Sequence, residues 1–301
     1  MEVAVALEAA RKTYGSVEAL KGIDLAIRTG ELVAILGPNG AGKSTAISLM
    51  LGLRQPTSGR ALLFGLEPSD QRARSRCGVM LQESGVSDVL RVRETVDLFR
   101  AYYPSPMPTA RALAMAGLEA EAGKQVGKLS GGQRQRLYYA IAVCGDPDVI
   151  FLDEPTVGMD VESRRAFIDS IRDFHGEGKT IVLTTHYLEE ADELARRIVV
   201  IAEGHVVADA SPDKIKAQVQ GRRVSFVTDR QLTEVDFADL PVTRLRLDDS
   251  RVELLSNQPE AVLQEMFRRG VGLRDLSVVG ADLEEAFLSL TSRQAATSAT
   301  P

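Results

Sequence analysis

Apolar positions recur along this chain in two rhythms. Near the start, VAVALEAA and VEALKGIDLAI (17–27) read as short strands parted by a polar turn around Gly15 and Ser16, which predicts an antiparallel edge unit. The run Leu32, Val33, Ala34, Ile35, Leu36 then breaks into glycines and resumes at helical spacing through Ile47, Leu49, Met50 and Leu53, giving strand, glycine loop and helix in that order. Between about 85 and 145 the pattern is helical, in VRETVDLFRAYY and ARALAMAGLEAEA, and the prolines of PSPMP (104–108) separate the two segments. Beyond this helical insertion come DVIFLDEP as a buried strand, ESRRAFIDSIRDF as a helix, KTIVLTTH as a strand and YLEEADELARR as a helix, followed by the short strands IVVIA and HVVAD. Such α/β alternation predicts a parallel sheet.

From about 222 the rhythm changes again. Strands are predicted at RVSFVT, TRLRLDD and RVELLS, a helix at PEAVLQEMFRR, a strand at LRDLSVV and a helix at DLEEAFLSLT, a β-β-β-α-β-α pattern expected of a compact α+β domain. The last ten residues, SRQAATSATP, are small and polar and are expected to be disordered. The expected organisation is therefore a nucleotide domain over 1–220, with a helical subdomain at about 85–145, a small domain over 221–291 and a tail over 292–301.

A 44% hydrophobic fraction over 301 residues is enough for a sizeable core. Thirty-six basic residues against 42 acidic ones leave a net charge of -6, which disfavours a broad nucleic-acid-binding surface. No apolar run approaches the roughly 20 residues of a membrane-spanning helix. Glu2 and Glu8 come too early for a signal peptide, and Cys77 and Cys144 lack the spacing of a zinc site or disulfide framework, so a reducing cytoplasm is expected.

Chemistry concentrates in a few segments. Gly37, Gly42, Lys43 and Ser44 satisfy G-x-x-x-x-G-K-[ST] between a strand and a helix. Glycines let the backbone approach phosphate oxygens, the helix end adds positive potential, Lys43 supplies a point charge and the Ser44 hydroxyl can ligate Mg²⁺. The strand DVIFLDEP delivers Asp153 and Glu154 at its carboxyl end, where ligands of open α/β sheets collect. Asp153 suits the metal and Glu154 suits a base for the attacking water, although an isolated Asp-Glu pair is more often a helix cap or solvated turn. LSGGQRQR (129–136) opens a helix and offers Ser130 and backbone N–H groups to an anion.

At this point the first 220 or so residues closely resemble the ATP-binding cassette (ABC) family of transporter ATPases. The resemblance implies a P-loop NTPase core with an antiparallel β subdomain and a helical insertion, working on ATP and Mg²⁺. It makes Gly37, Pro38, Asn39, Gly40, Ala41, Gly42, Lys43, Ser44 and Thr45 the phosphate loop, and Tyr14 the aromatic residue that stacks on adenine. Gln82 corresponds to the glutamine contacting Mg²⁺ and the attacking water, Asp153 to the Mg²⁺ carboxylate, Glu154 to the catalytic glutamate and His186 to the switch histidine. Leu129, Ser130, Gly131, Gly132 and Gln133 match the signature that closes over ATP held by another subunit, and Asp160 in VGMD matches the aspartate at the dimer contact. Met159 stands where leucine is more usual.

A single motif set then implies pairing with a second copy or a related cassette. The region after Gln82, especially ESGVSDVLRVRE, corresponds to where relatives receive a membrane permease carried on a separate chain. TVGMDVESRRAF, TTHYLEEADELARRI and DLEEAFLSLT resemble the drug-resistance and antibiotic-export branch, so the expected protein is a peripheral ATPase on the cytoplasmic face of the membrane, powering export. The competing reading is a soluble cassette ATPase regulating a non-transport partner. DNA-repair relatives carry long coiled coils between phosphate loop and signature, translation-associated relatives carry two cassettes, and a phosphate-loop kinase would lack LSGGQ.

Overall fold

The computed structural model describes residues 2–81, 85–218, 221–280 and 282–298. Its first half runs β1 (Val3–Tyr14), β2 (Val17–Arg28), β3 (Leu32–Leu36), α1 (Lys43–Met50), β4 (Ser58–Leu63), α2 (Gln71–Arg74), β5 (Cys77–Met80), α3 (Val92–Arg100), α4 (Thr109–Met115) and α5 (Gly131–Val143). There follow β6 (Val149–Asp153), α6 (Val161–Gly176), β7 (Thr180–Thr184), α7 (Leu188–Leu194), β8 (Arg197–Ala202) and β9 (His205–Ala210). The remainder comprises α8 (Pro212–Lys216), β10 (Arg222–Thr228), β11 (Val242–Asp248), β12 (Arg251–Ser256), α9 (Pro259–Arg268), β13 (Leu273–Gly280) and α10 (Leu283–Ser298).

The chain divides into two units, one carrying the residues up to Ser211 together with those from Arg293 and the other Pro212–Ser292. In the first, a sheet ordered β5-β6-β7-β3-β8-β9 forms the centre. All five side chains of β3 and of β7 are buried, as are the first four of β6, which is why these strands read as unbroken apolar runs. Each fully buried Val, Leu or Ile contributes about 1.5–3 kcal/mol over an exposed one. The sheet is not wholly parallel: β9 returns antiparallel to β8, because two residues, Glu203 and Gly204, join them and so short a link permits only a hairpin.

The antiparallel edge unit is longer and broader than the sequence suggested. β1 and β2 have 12 residues each, and β4 adds a third strand on the far side of β1. Both β4 and β5 escaped the pattern reading because SGRALL alternates weakly and CGVM is only four residues long. Within the helical stretch, the segment ARALAMAGLEAEA stays helical only to Met115, since Gly117 takes a left-handed conformation at φ 60°.

The second unit is a four-stranded antiparallel sheet ordered β11-β12-β10-β13, with the expected β-β-β-α-β-α succession. Val224, Phe226, Val252 and Leu254 on one sheet face bury themselves against Val262 and Met266 of α9. Of the segment expected to be a tail, 292–298 is helical as the end of α10, and 299–301 lie outside the described residues. Alanines have the highest helix propensity, and extending an existing helix avoids the cost of a new nucleus.

Candidate functional site

The phosphate loop joins β3 to α1, and backbone geometry explains its glycines. Gly42 is the N-cap of α1 at φ 109°, a left-handed conformation that also brings its Cα so near Ala19 that an added Cβ would sit 2.6 Å from the Ala19 carbonyl oxygen. A Cβ on Gly37 would run into the carbonyl of Ile201. Among the described residues no side chain caps α1, and no acidic residue occupies its first turn. Its first amides are therefore left without intrahelical acceptors, directed at whatever anion enters. At its other end α1 is closed: the Gly52 amide donates to Leu49 O (3.0 Å) and the Leu53 amide to Ser48 O (2.9 Å), with Gly52 at φ 63°.

Lys43 folds back over the loop, its ammonium donating to Gly37 O (2.7 Å) and Pro38 O (3.1 Å). Burial pushes its pKa below the ordinary lysine value, and the negative charges of Glu154 and Asp153 work against that shift. The ammonium thus rests on carbonyls that phosphate oxygens can replace. A cavity of about 620 Å³ opens here, lined by Asn39, Gly40, Ala41, Gly42, Lys43, Ser44 and Thr45 with Ala19, Glu154 and His186.

Glu154 and His186 come from different strands. β6 and β7 pair in parallel with Asp153 opposite Thr184, so the residues just past each strand end emerge side by side. His186 Nδ1 lies 3.4 Å from Glu154 Oε2. The backbone holds this arrangement firmly, for the Glu154 amide donates to Thr184 O and to Thr184 Oγ1, each at 3.1 Å, and the Thr184 hydroxyl donates to Asp153. Glu154 itself has φ 49°, a conformation costly for a residue with a side chain and characteristic of functional sites.

Among the described residues no group of three or more His, Cys, Asp and Glu side chains could hold a metal by itself. Ser44 lines the cavity, and Asp153, at the end of β6 and outside the lining, is near enough to act on the charge of Lys43; one carboxylate with one hydroxyl is a donor set of the kind Mg²⁺ takes, its shell being filled by phosphate and water.

The signature occupies the start of α5. Ser130 is its N-cap: the Gln133 amide donates to Ser130 Oγ (3.2 Å) and the Ser130 amide to Gln133 Oε1 (3.1 Å). Ser130 and Gly131 are exposed, Leu129, Gly132 and Gln133 are half-buried, and none of the five lines the phosphate-loop cavity. A Cβ on Gly131 would meet Gly158 O at 3.9 Å and one on Gly132 the Met159 side chain at 3.9 Å, so the signature and the VGMD loop form one surface. Asp160 caps α6, accepting from the Ser163 amide and hydroxyl, both at 2.8 Å; these bonds lower its pKa. Tyr14 is 43% exposed at the end of β1 and does not line the cavity. Gln82 lies outside the described residues.

Sequence reasoning missed Thr184 and Glu190. Thr184 could have been noticed as a polar residue ending an apolar strand; Glu190 carries no such sign. It also missed an apolar groove of about 520 Å³ lined by Leu53, Val79, Leu81, Val86, Phe99 and Tyr103, among others.

A family model described as ABC transporter matches residues 20–157, and one described as AAA domain, putative AbiEii toxin, Type IV TA system matches 123–192. The chain is 36% identical over 305 residues to the daunorubicin resistance ATP-binding protein DrrA3 of Streptomyces coeruleorubidus, covering 96% of each chain. It is 35% identical to the Nod factor export ATP-binding protein I of Paraburkholderia xenovorans (strain LB400), covering 97% of this chain and 98% of that one. Among solved structures it resembles the dimeric post-hydrolysis state of the ATP-binding cassette MJ0796 bound to ADP and Pi, with a TM-score of 0.64 and 30% identity over 69% of this chain and 98% of that one.

Proposed function

The chain belongs to the ABC transporter family as an ATPase cassette working on ATP with Mg²⁺, and from that premise we propose that it powers export through a separate membrane permease. The observation that carries the catalytic half is the meeting of Lys43, Glu154 and His186 around one cavity with the uncapped start of α1. ATP lays its phosphates along the amides of 40–45, and Lys43 moves from the Gly37 and Pro38 carbonyls onto them. Ser44 and Asp153 would hold Mg²⁺, which would supply positive charge against the phosphate oxygens. Glu154 accepts the proton of the attacking water, and His186 orients the γ-phosphate. Tyr14 offers its exposed ring to adenine.

The signature serves a second cassette. Since Leu129–Gln133 line no part of their own phosphate cavity, their exposed N-terminus is directed outward, which supports a dimer in which each α5 closes the other chain's ATP. A second copy is the simplest partner. Asp160 and the VGMD loop, lying beside that helix end, belong to the same interface.

Among the described residues no helix is long and apolar enough to cross a membrane. The apolar groove beside β5, α3 and α5 offers a seat for a permease's cytoplasmic segment, which would hold this chain at the cytoplasmic face. Names of relatives that speak of daunorubicin resistance and Nod factor export support export of a drug-, antibiotic- or lipid-like cargo. Tagged Glu154→Gln protein, drawn from detergent-solubilised membranes of its source cell with ATP present, should bring down a multi-spanning partner. Exclusively soluble partners, with ATP binding intact, would replace the exporter by a soluble regulator.

A further inference from the structure

Glu190 lies in the first turn of α7 and is only 4% exposed, outside the phosphate cavity. Burying a carboxylate is costly unless it is paired, and this one is paired on both oxygens. The Thr156 hydroxyl donates to Oε1 (2.7 Å) and the Thr185 hydroxyl to Oε2 (3.0 Å). Both threonines are themselves buried. Thr185 Oγ1 in turn accepts from the Tyr187 amide at 2.9 Å, so the residues on both sides of His186 are held by this one arrangement.

Thr156 is two residues past Glu154, in the loop that continues to Asp160. Its carbonyl accepts from the Met159 amide (3.1 Å), and Met159 is the residue facing Gly132 of the signature. A third contact reaches the same carboxylate from α6: Arg164 Nε, without a hydrogen-bond partner among the described residues, stands 3.5 Å from Glu190 Oε1, and the guanidinium lies 4.2 Å over the Tyr187 ring. The Tyr187 ring is 4.1 Å from the His186 imidazole. One buried carboxylate therefore joins the loop of Glu154, the loop of His186 and the helix that Asp160 caps.

We propose that Glu190 is a positioning residue for ATP hydrolysis, setting Glu154 against His186 and tying both to the VGMD loop beside the signature. The inference rests on the roles given above to Glu154 and His186. Glu190 touches no substrate and acts through Thr156 and Thr185. Because Glu154 already sits in a left-handed conformation, release of its loop lets the carboxylate drift, and misplacement of a reacting group by about 1 Å costs up to a hundredfold in rate.

The test is steady-state ATP hydrolysis by the full chain, normalised to the fraction that binds ATP and melts cooperatively. Glu190→Gln can accept only one of the two hydroxyl bonds, and Thr156→Val deletes one of them; each should lower kcat roughly tenfold or more with KM for ATP within about twofold. Thr156→Ser, which keeps the hydroxyl, should return kcat to near the native value. Native kcat in a folded Glu190→Gln, equal losses in Thr156→Ser and Thr156→Val, or a raised KM at native kcat would overturn the proposal. Should Glu190→Gln fail to fold, the two Thr156 variants decide. Glu154→Gln and His186→Ala run alongside: native turnover there would overturn the underlying site assignment, and the inference with it, whereas their inactivity beside a fully active Glu190→Gln sinks the inference alone.

Discussion

Helices α1 and α5 both open on glycines, and both present an N-terminus suited to an anion, yet they treat it in opposite ways. Among the described residues no side chain caps α1, which begins at Gly42, and the Lys43 ammonium folds back onto the Gly37 and Pro38 carbonyls of the preceding loop. α5 begins behind Ser130 with a capping box that engages the Ser130 and Gln133 amides, and Ser130 and Gly131 are exposed. An uncapped helix end is unstable by itself and is tolerable where a ligand completes it; a capped one stands without the ligand. The difference supports the proposal that the phosphate loop binds nucleotide within the chain and that the signature faces a partner's nucleotide.

Three experiments sharpen or break that contrast. The largest effect belongs to Lys43→Ala, which should lower ATP affinity roughly tenfold to hundredfold, the worth of charge-assisted hydrogen bonds to phosphate, as read by fluorescent-nucleotide titration. Undiminished affinity would mean that the α1 end is not the nucleotide site. Next, Lys43→Ala and Ser130→Ala chains, each inactive as a homodimer, should recover about a quarter of native turnover when mixed. Half of randomly formed pairs then join one intact loop to one intact signature, and each such pair has one working site of two. No recovery on mixing would place the signature's action within its own chain. The smallest effect is on stability: Ser130→Ala should cost about 1 kcal/mol through the lost cap while leaving ATP binding by the single chain unchanged, a shift readable by urea unfolding.

The second unit offers a quieter contrast with the first. Its β-β-β-α-β-α succession was legible because the central strands β10 and β12 alternate buried with half-buried or exposed positions. The helical continuation through 292–298 was illegible because polar residues next to alanine read equally well as tail or as helix. In the first unit, β4 and β5 were invisible for a related reason: short strands take their identity from the neighbours they pair with, and β5 exists as the partner of β6.

What the sequence alone determined was local chemistry. Gly37 to Thr45, Leu129 to Gln133 and Asp153 with Glu154 are contiguous segments whose loop, cap and strand-end geometry follows from residue type within a few positions. Tertiary structure decided which of these segments meet. Glu154 and His186 are neighbours only because β6 and β7 lie parallel in a register that sets Asp153 opposite Thr184, and Glu190 governs both loops only because α7 buries its carboxylate between two threonines. Backbone preference acts between near neighbours in sequence, whereas register and burial are properties of the assembled sheet, so the first could be read along the chain and the second could not.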